Sequence, residues 1–183
     1  MELPTLTMGE YSLVFNFFSF TIASMLAAGA FFILAKHRVA PKYRISLVVS
    51  TLVVGIAAYH YFRITASWAD AFMISEAGNY ISSGKPFNDA YRYVDWLLTV
   101  PLLLVELVLV LNLPREKSGP MLTKLVIAAA LMIGLGYPGE ILTADTMFSE
   151  RGFWGLASSV PFAYILYILY GELGTAMSNQ NDR

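Results

Sequence analysis

Arg92-Tyr93-Val94-Asp95-Trp96-Leu97-Leu98-Thr99-Val100-Pro101-Leu102-Leu103-Leu104-Val105-Glu106 sets ionisable side chains into an otherwise apolar run. A helix turns about 100° per residue, so Thr99 lies about 40° from Asp95, Glu106 about 20° and Arg92 about 60°. All four share one face. Asp95 and Glu106 are 11 residues apart, or roughly 16 Å at about 1.5 Å per residue. That is about half the hydrocarbon thickness of a bilayer, so one carboxyl sits towards each side with a hydroxyl between. Ionisable groups within a span are costly and face a bundle interior or a water-filled cavity. A structural Arg92–Asp95 ion pair with a snorkelling Glu106 would explain each group separately. It does not explain the shared face and staggered depths. Two carboxyls in different surroundings can hold protons with different affinities, which is what a proton relay requires.

The rest of the chain supplies the membrane setting. Residues 11–35 and 45–59 carry no charge, nor do 96–113 apart from Glu106, 121–139 apart from Lys124, and 152–171. Each is near the roughly 20 residues that cross a bilayer. Of the 183 residues 57% are hydrophobic and only 14% charged, where a soluble domain has about 25% charged. The composition excludes disorder, and a net charge of −1 gives no footprint for nucleic acid. Without cysteine there is no disulfide framework, thiol catalysis or thiolate metal site, and no metal is expected. Glu2 and Glu10, rather than a basic segment, precede the first apolar stretch, which reads as a retained span and not a signal peptide.

The expected fold is an all-α membrane protein. A single up-and-down transmembrane bundle covers residues 1–183, with helices at about 10–36, 43–68, 88–112, 120–140 and 151–176. Lys36, Arg38, Lys42 and Arg44 lie between the first two spans, and Arg115, Lys117 and Lys124 at the third connection. The other two connections carry Lys85 and Arg151 against Asp70, Glu76, Asp89, Glu140, Asp145 and Glu150. Positive residues stay inside, which predicts an outside N-terminus and an inside Arg183. Gly78-Asn79 and Gly84-Lys85-Pro86 have turn chemistry, and a short hairpin fits residues 69–87. The polar tail from Ser178 to Arg183 closes the last helix. In the second span His60 is eight residues before Trp68, and Asp95 is seven after Asn88. The two lie at comparable depth, so contact is feasible; a lone membrane histidine is otherwise a packing residue.

The string Phe87-Asn88-Asp89-Ala90-Tyr91-Arg92-Tyr93-Val94-Asp95-Trp96-Leu97-Leu98-Thr99-Val100-Pro101 resembles the third helix of microbial rhodopsins, seven-helix retinal proteins, in their proteorhodopsin and xanthorhodopsin branch. Tyr59-His60-Tyr61-Phe62-Arg63, Gly136-Tyr137-Pro138-Gly139-Glu140 and Pro161-Phe162-Ala163-Tyr164-Ile165-Leu166-Tyr167 agree with it. The resemblance covers nearly the whole chain, as five of an expected seven helices. It implies that Asp95 is the Schiff-base counterion and proton acceptor, His60 its partner, Glu106 the proton donor and Arg92 a switchable cation on the release side. The Asp95, Thr99, Glu106 combination resembles that of outward proton pumps. Trp96, Leu103, Met132, Gly136, Ser158 and Phe162 would line a retinal pocket; without the resemblance each reads as ordinary packing. In xanthorhodopsin-like proteins a glycine at the position of Gly155 opens a window for a carotenoid antenna, although membrane glycines also serve close packing. Lipid bilayer and a homo-oligomer are the implied partners, and the plasma (inner) membrane the location.

The family attaches retinal through a lysine of the seventh helix. The lysines here, Lys36, Lys42, Lys85, Lys117 and Lys124, all fall in loops or near span ends, so the covalent lysine is expected to lie outside this chain. The expected function is light-driven outward proton transport with no substrate turned over. A sensory photoreceptor and a pigment-free membrane scaffold are the alternatives.

Overall fold

In the computed structural model residues 3–88, 90–111, 113–141 and 150–181 are described, with backbone alone for 115 and 172–181. Asp89, Asn112, Asp145 and the last two residues of the expected polar tail lie outside the described residues. Five helices follow one another: α1 Met8–Ala35, α2 Arg44–Ala71, α3 Tyr91–Leu111, α4 Arg115–Ile141 and α5 Glu150–Asn181. All five are long and apolar enough to cross a membrane. Each packs on its sequence neighbour, α1 on α2 through to α4 on α5, which is the up-and-down arrangement.

Local chemistry sets the ends. Thr7 Oγ1 accepts from the Glu10 backbone N–H at 3.2 Å while Glu10 Oε2 accepts from the Thr7 N–H at 2.8 Å, a reciprocal cap on α1. Short 3-10 turns, Lys36–Arg38 and Pro41–Tyr43, carry the chain into α2, with Pro41 at the first position of the second. The third helix starts later than expected because Asn88 Oδ1 accepts from the Ala90 N–H at 3.1 Å, holding the preceding residues in a turn. The fourth starts at Arg115 instead of 120, because the Pro114 carbonyl already accepts from Lys117 and Ser118 at 2.9 and 3.0 Å. The fifth runs to Asn181, so the first part of the expected polar tail is helical.

Between α2 and α3 lies an antiparallel hairpin, β1 Phe72–Ile74 and β2 Tyr80–Ser82, in the register Phe72↔Ser82, Met73↔Ile81, Ile74↔Tyr80. Gly78 turns it with φ +78°, where a side chain would be strained. Leu6 joins as a third partner: its N–H donates to the Tyr80 carbonyl and its carbonyl accepts from the Tyr80 N–H, both at 2.8 Å. Tyr11 stacks on Tyr80 with centroids 3.8 Å apart, and Trp68 and Phe72 pack around the pair. We call this the hairpin end; the end bearing residues 36–43 is the far end.

Apolar packing is concentrated in the far half, where Leu104 and Val108 of α3, Met121, Leu125, Ala128 and Ala129 of α4, and Ile165 of α5 form one buried cluster. Small residues let backbones approach, as membrane helices require. A Cβ on Gly139 would stand 3.2 Å from Trp154 Cβ and 3.3 Å from the Arg151 carbonyl. Phe17, Phe20, Phe31, Val160, Tyr167 and Tyr170 face outward with most of their surface exposed, as suits a lipid-facing wall of helices.

Candidate functional site

The buried polar side chains among the described residues are Ser46, Ser50, His60, Asp95 and Thr99. All five belong to α2 or α3, two helices that pack along their length. On α2 the spacing 46, 50, 57, 60, 64 turns Ser46, Ser50, Ala57, His60 and Ile64 inward together. Ionisable or hydroxyl groups at some of these positions make a polar seam within an apolar bundle.

Towards the hairpin end, His60 Nδ1 lies 3.4 Å from Asp95 Oδ1 and 3.0 Å from the Ile56 carbonyl. A carbonyl only accepts, which assigns the ring proton to Nδ1. That hydrogen serves Ile56, so Asp95 Oδ1 is buried yet accepts no hydrogen bond among the described residues. Thr99 Oγ1 donates back to the Asp95 carbonyl at 2.9 Å. Two residues on, Pro101 removes one backbone donor from α3. Arg63, one turn after His60, donates to Tyr91 Oη at 3.1 Å.

Towards the far end, Ser50 Oγ lies 2.6 Å from Glu106 Oε1 and 3.0 Å from the Ser46 carbonyl. A hydroxyl carries one proton, so it cannot donate to both at once. Either Ser50 donates to the Glu106 carboxyl, or a protonated carboxyl donates to Ser50 Oγ while Ser50 donates to the Ser46 carbonyl. The arrangement can store a transferable proton.

Arg92 is placed differently from the sequence expectation. Asp95 draws its interactions from His60 and Thr99, while Arg92 Nη2 pairs with Glu140 Oε1 at 3.1 Å. The reason is topological. Arg92 is the second residue of α3 and Glu140 the last but one of the antiparallel α4, so the two ends coincide. Sequence reasoning counted Glu140 among the connection acids and in the Gly136–Glu140 run but gave it no partner, and passed over Ser46 and Ser50. The available signal was an acid closing an apolar span and two serines at i, i+4 on the inward stripe of α2.

The remaining candidates lie on α3, α4 and α5. Gly136 admits the Tyr93 ring: an added Cβ would meet its Cε1 at 3.3 Å and Ser158 Cβ at 3.7 Å. Met132 is half-buried, and Trp96, Leu103 and Phe162 keep 40%, 48% and 48% of their surface exposed. Gly155 leaves open space where a side chain would stand. An unpartnered buried carboxylate oxygen next to exposed apolar and aromatic surface suits a long apolar group ending in a cationic N–H, which is the chemistry of protonated, lysine-bound retinal.

A family model described as bacteriorhodopsin-like protein matches residues 14–183. The chain is 33% identical over 157 residues to a green-light absorbing proteorhodopsin from Gamma-proteobacterium EBAC31A08, an alignment covering 86% of this chain and 56% of that protein. It thus spans little more than half the length of this relative. Among solved structures it is similar to xanthorhodopsin, a light-driven ion pump with dual chromophore, at 61% identity and TM-score 0.89 over 95% of this chain and 69% of that one. A thermophilic rhodopsin structure is similar at 54% identity and TM-score 0.90, covering 97% and 69%.

Proposed function

Because the chain belongs to the bacteriorhodopsin-like family, an integral membrane family, we propose that it forms part of a light-driven outward proton pump that uses retinal. What carries the reading is the placement of two carboxyls at opposite ends of one seam: Asp95 beside His60, and Glu106 bonded to Ser50. The hairpin end and N-terminus face outside, and the far end, with its basic connections, faces the cytoplasm.

Retinal, when bound, supplies a light-driven change of proton affinity next to Asp95. Trp96, Leu103, Met132, Gly136, Ser158 and Phe162 would hold it. The attaching lysine is none of Lys36, Lys42, Lys85, Lys117 or Lys124. Asp95 takes up a proton on Oδ1, with the His60 imidazole 3.4 Å away. The Arg92–Glu140 pair lies between Asp95 and the outer surface, on the proton's exit path. Glu106 returns a proton from the inner side, its hydroxyl partner Ser50 keeping the donor group oriented. A group that can store a proton on the inner side favours a pump over a sensory photoreceptor, which needs no such store.

The test is illumination of cells that carry the complete protein supplied with retinal. The medium should acidify, and an uncoupler should abolish the signal. A coloured protein with a slow photocycle and no acidification would make it a sensor; no visible absorption would leave a pigment-free scaffold. A homo-oligomer is part of the proposal, checked by the mass of the detergent-extracted protein.

Gly155 supports a second, carotenoid chromophore, because nothing stands where its side chain would be. With the carotenoid bound, exciting it should drive pumping. Gly155→Trp should remove that contribution and spare pumping driven by direct retinal absorption. Equal carotenoid-driven action in both proteins would count against the window.

A further inference from the structure

We infer that Ser46 is the inner port through which Glu106 is recharged with protons. The inference rests on the donor role proposed for Glu106. Ser46 is 5% exposed, and its Oγ is buried without a hydrogen-bond partner among the described residues. Its situation is unusual for this protein. Thr21, Ser50, Thr51, Thr65, Thr99 and Thr123 each return their hydroxyl to the carbonyl four residues earlier. Four residues before Ser46 is Lys42, which lies in the 3-10 turn outside α2. The usual internal acceptor is therefore out of line, and the hydroxyl is left over.

A leftover buried hydroxyl is unfavourable unless water or a second group engages it. Position decides what it serves. Ser46 is the third residue of α2, and its backbone carbonyl accepts from Ser50 Oγ, which holds Glu106. Glu106 stands five residues short of the end of α3 at Leu111, or about 7.5 Å from the far end. Ser46 occupies that last interval. No other polar side chain of the buried seam lies closer to the far end.

The step balances as a relay. A proton from water at the far end is taken up on Ser46 Oγ as that hydroxyl passes its own, through water, to Ser50 Oγ. Ser50 passes its own to the Glu106 carboxylate. Each hydroxyl gains one proton and loses one; the net change is one proton moved from water to Glu106.

The test compares Ser46→Thr with Ser46→Val in the complete pigmented protein. The two side chains have the same shape, and only threonine keeps the hydroxyl. In the dark, infrared spectroscopy follows exchange of the Glu106 carboxyl proton for deuterium, with the band assigned through Glu106→Gln. Exchange should be near the wild-type rate with threonine and about tenfold slower with valine, as expected for one lost hydrogen-bonded station. After a flash, uptake from the inner side should slow by the same factor. Equal exchange in the two variants would overturn the inference. Dark exchange needs no pumping, so the readings separate: a protein that fails to pump but keeps the Thr/Val difference retains the port and loses the pump.

Discussion

Replacing Asp95 by asparagine in the complete pigmented protein is expected to abolish light-driven acidification, a loss of at least about a hundredfold. The amide matches the carboxyl in shape and cannot take up a proton. His60 keeps its bond to the Ile56 carbonyl, 3.0 Å away, so the surrounding helices have no reason to move. The variant should still bind retinal, at a shifted absorption maximum because the negative charge is gone. Pigment formation and pumping must be scored together: colour retained with transport lost assigns the proton-accepting step to this carboxyl. Undiminished transport would remove Asp95 from the path.

The second large effect is at Glu106. With Glu106→Gln the return to the dark state should slow about a hundredfold at neutral pH, since a positioned donor contributes about that much. The amide can still accept from Ser50, so the change is one of chemistry, not packing. Without an internal donor the proton must come from the inner aqueous phase, and the rate becomes proportional to its proton concentration. Recovery should therefore slow as pH rises, by up to about tenfold per pH unit, while the wild type stays nearly flat. A small permeant acid such as azide should restore speed in the variant. A receptor that uses no inner donor would show hardly any change.

Much of this was legible from residue order because a membrane imposes few solutions. Charge-free runs of the right length leave a helix bundle as the only economical fold, and the period of α3 sets Asp95, Thr99 and Glu106 on one face before any neighbour is known. Matched depth brought His60 to Asp95 for the same reason, since rise per residue is nearly constant. What one helix cannot report is which side chain of a neighbour fills the space opposite. Arg92 was expected beside Asp95, three residues along. Its long side chain instead crosses to Glu140, because the start of α3 and the end of α4 meet. Ser50 escaped notice because serine is ordinary in an apolar helix until a carboxyl appears 2.6 Å away. The three-way pairing of Leu6 with the hairpin depends on a contact between residues 6 and 80, far beyond any local pattern.

That pairing has a mechanical consequence. The chain's opening residues, the turn after the second span and the rings of Tyr11 and Trp68 are stitched into one clasp that ties the start of α1 to the end of α2. Among the described residues no strand pairing ties the far end, which is held by the apolar cluster of α3, α4 and α5. The two ends of the bundle are thus held by different means, directional backbone bonds at one and side-chain contact at the other.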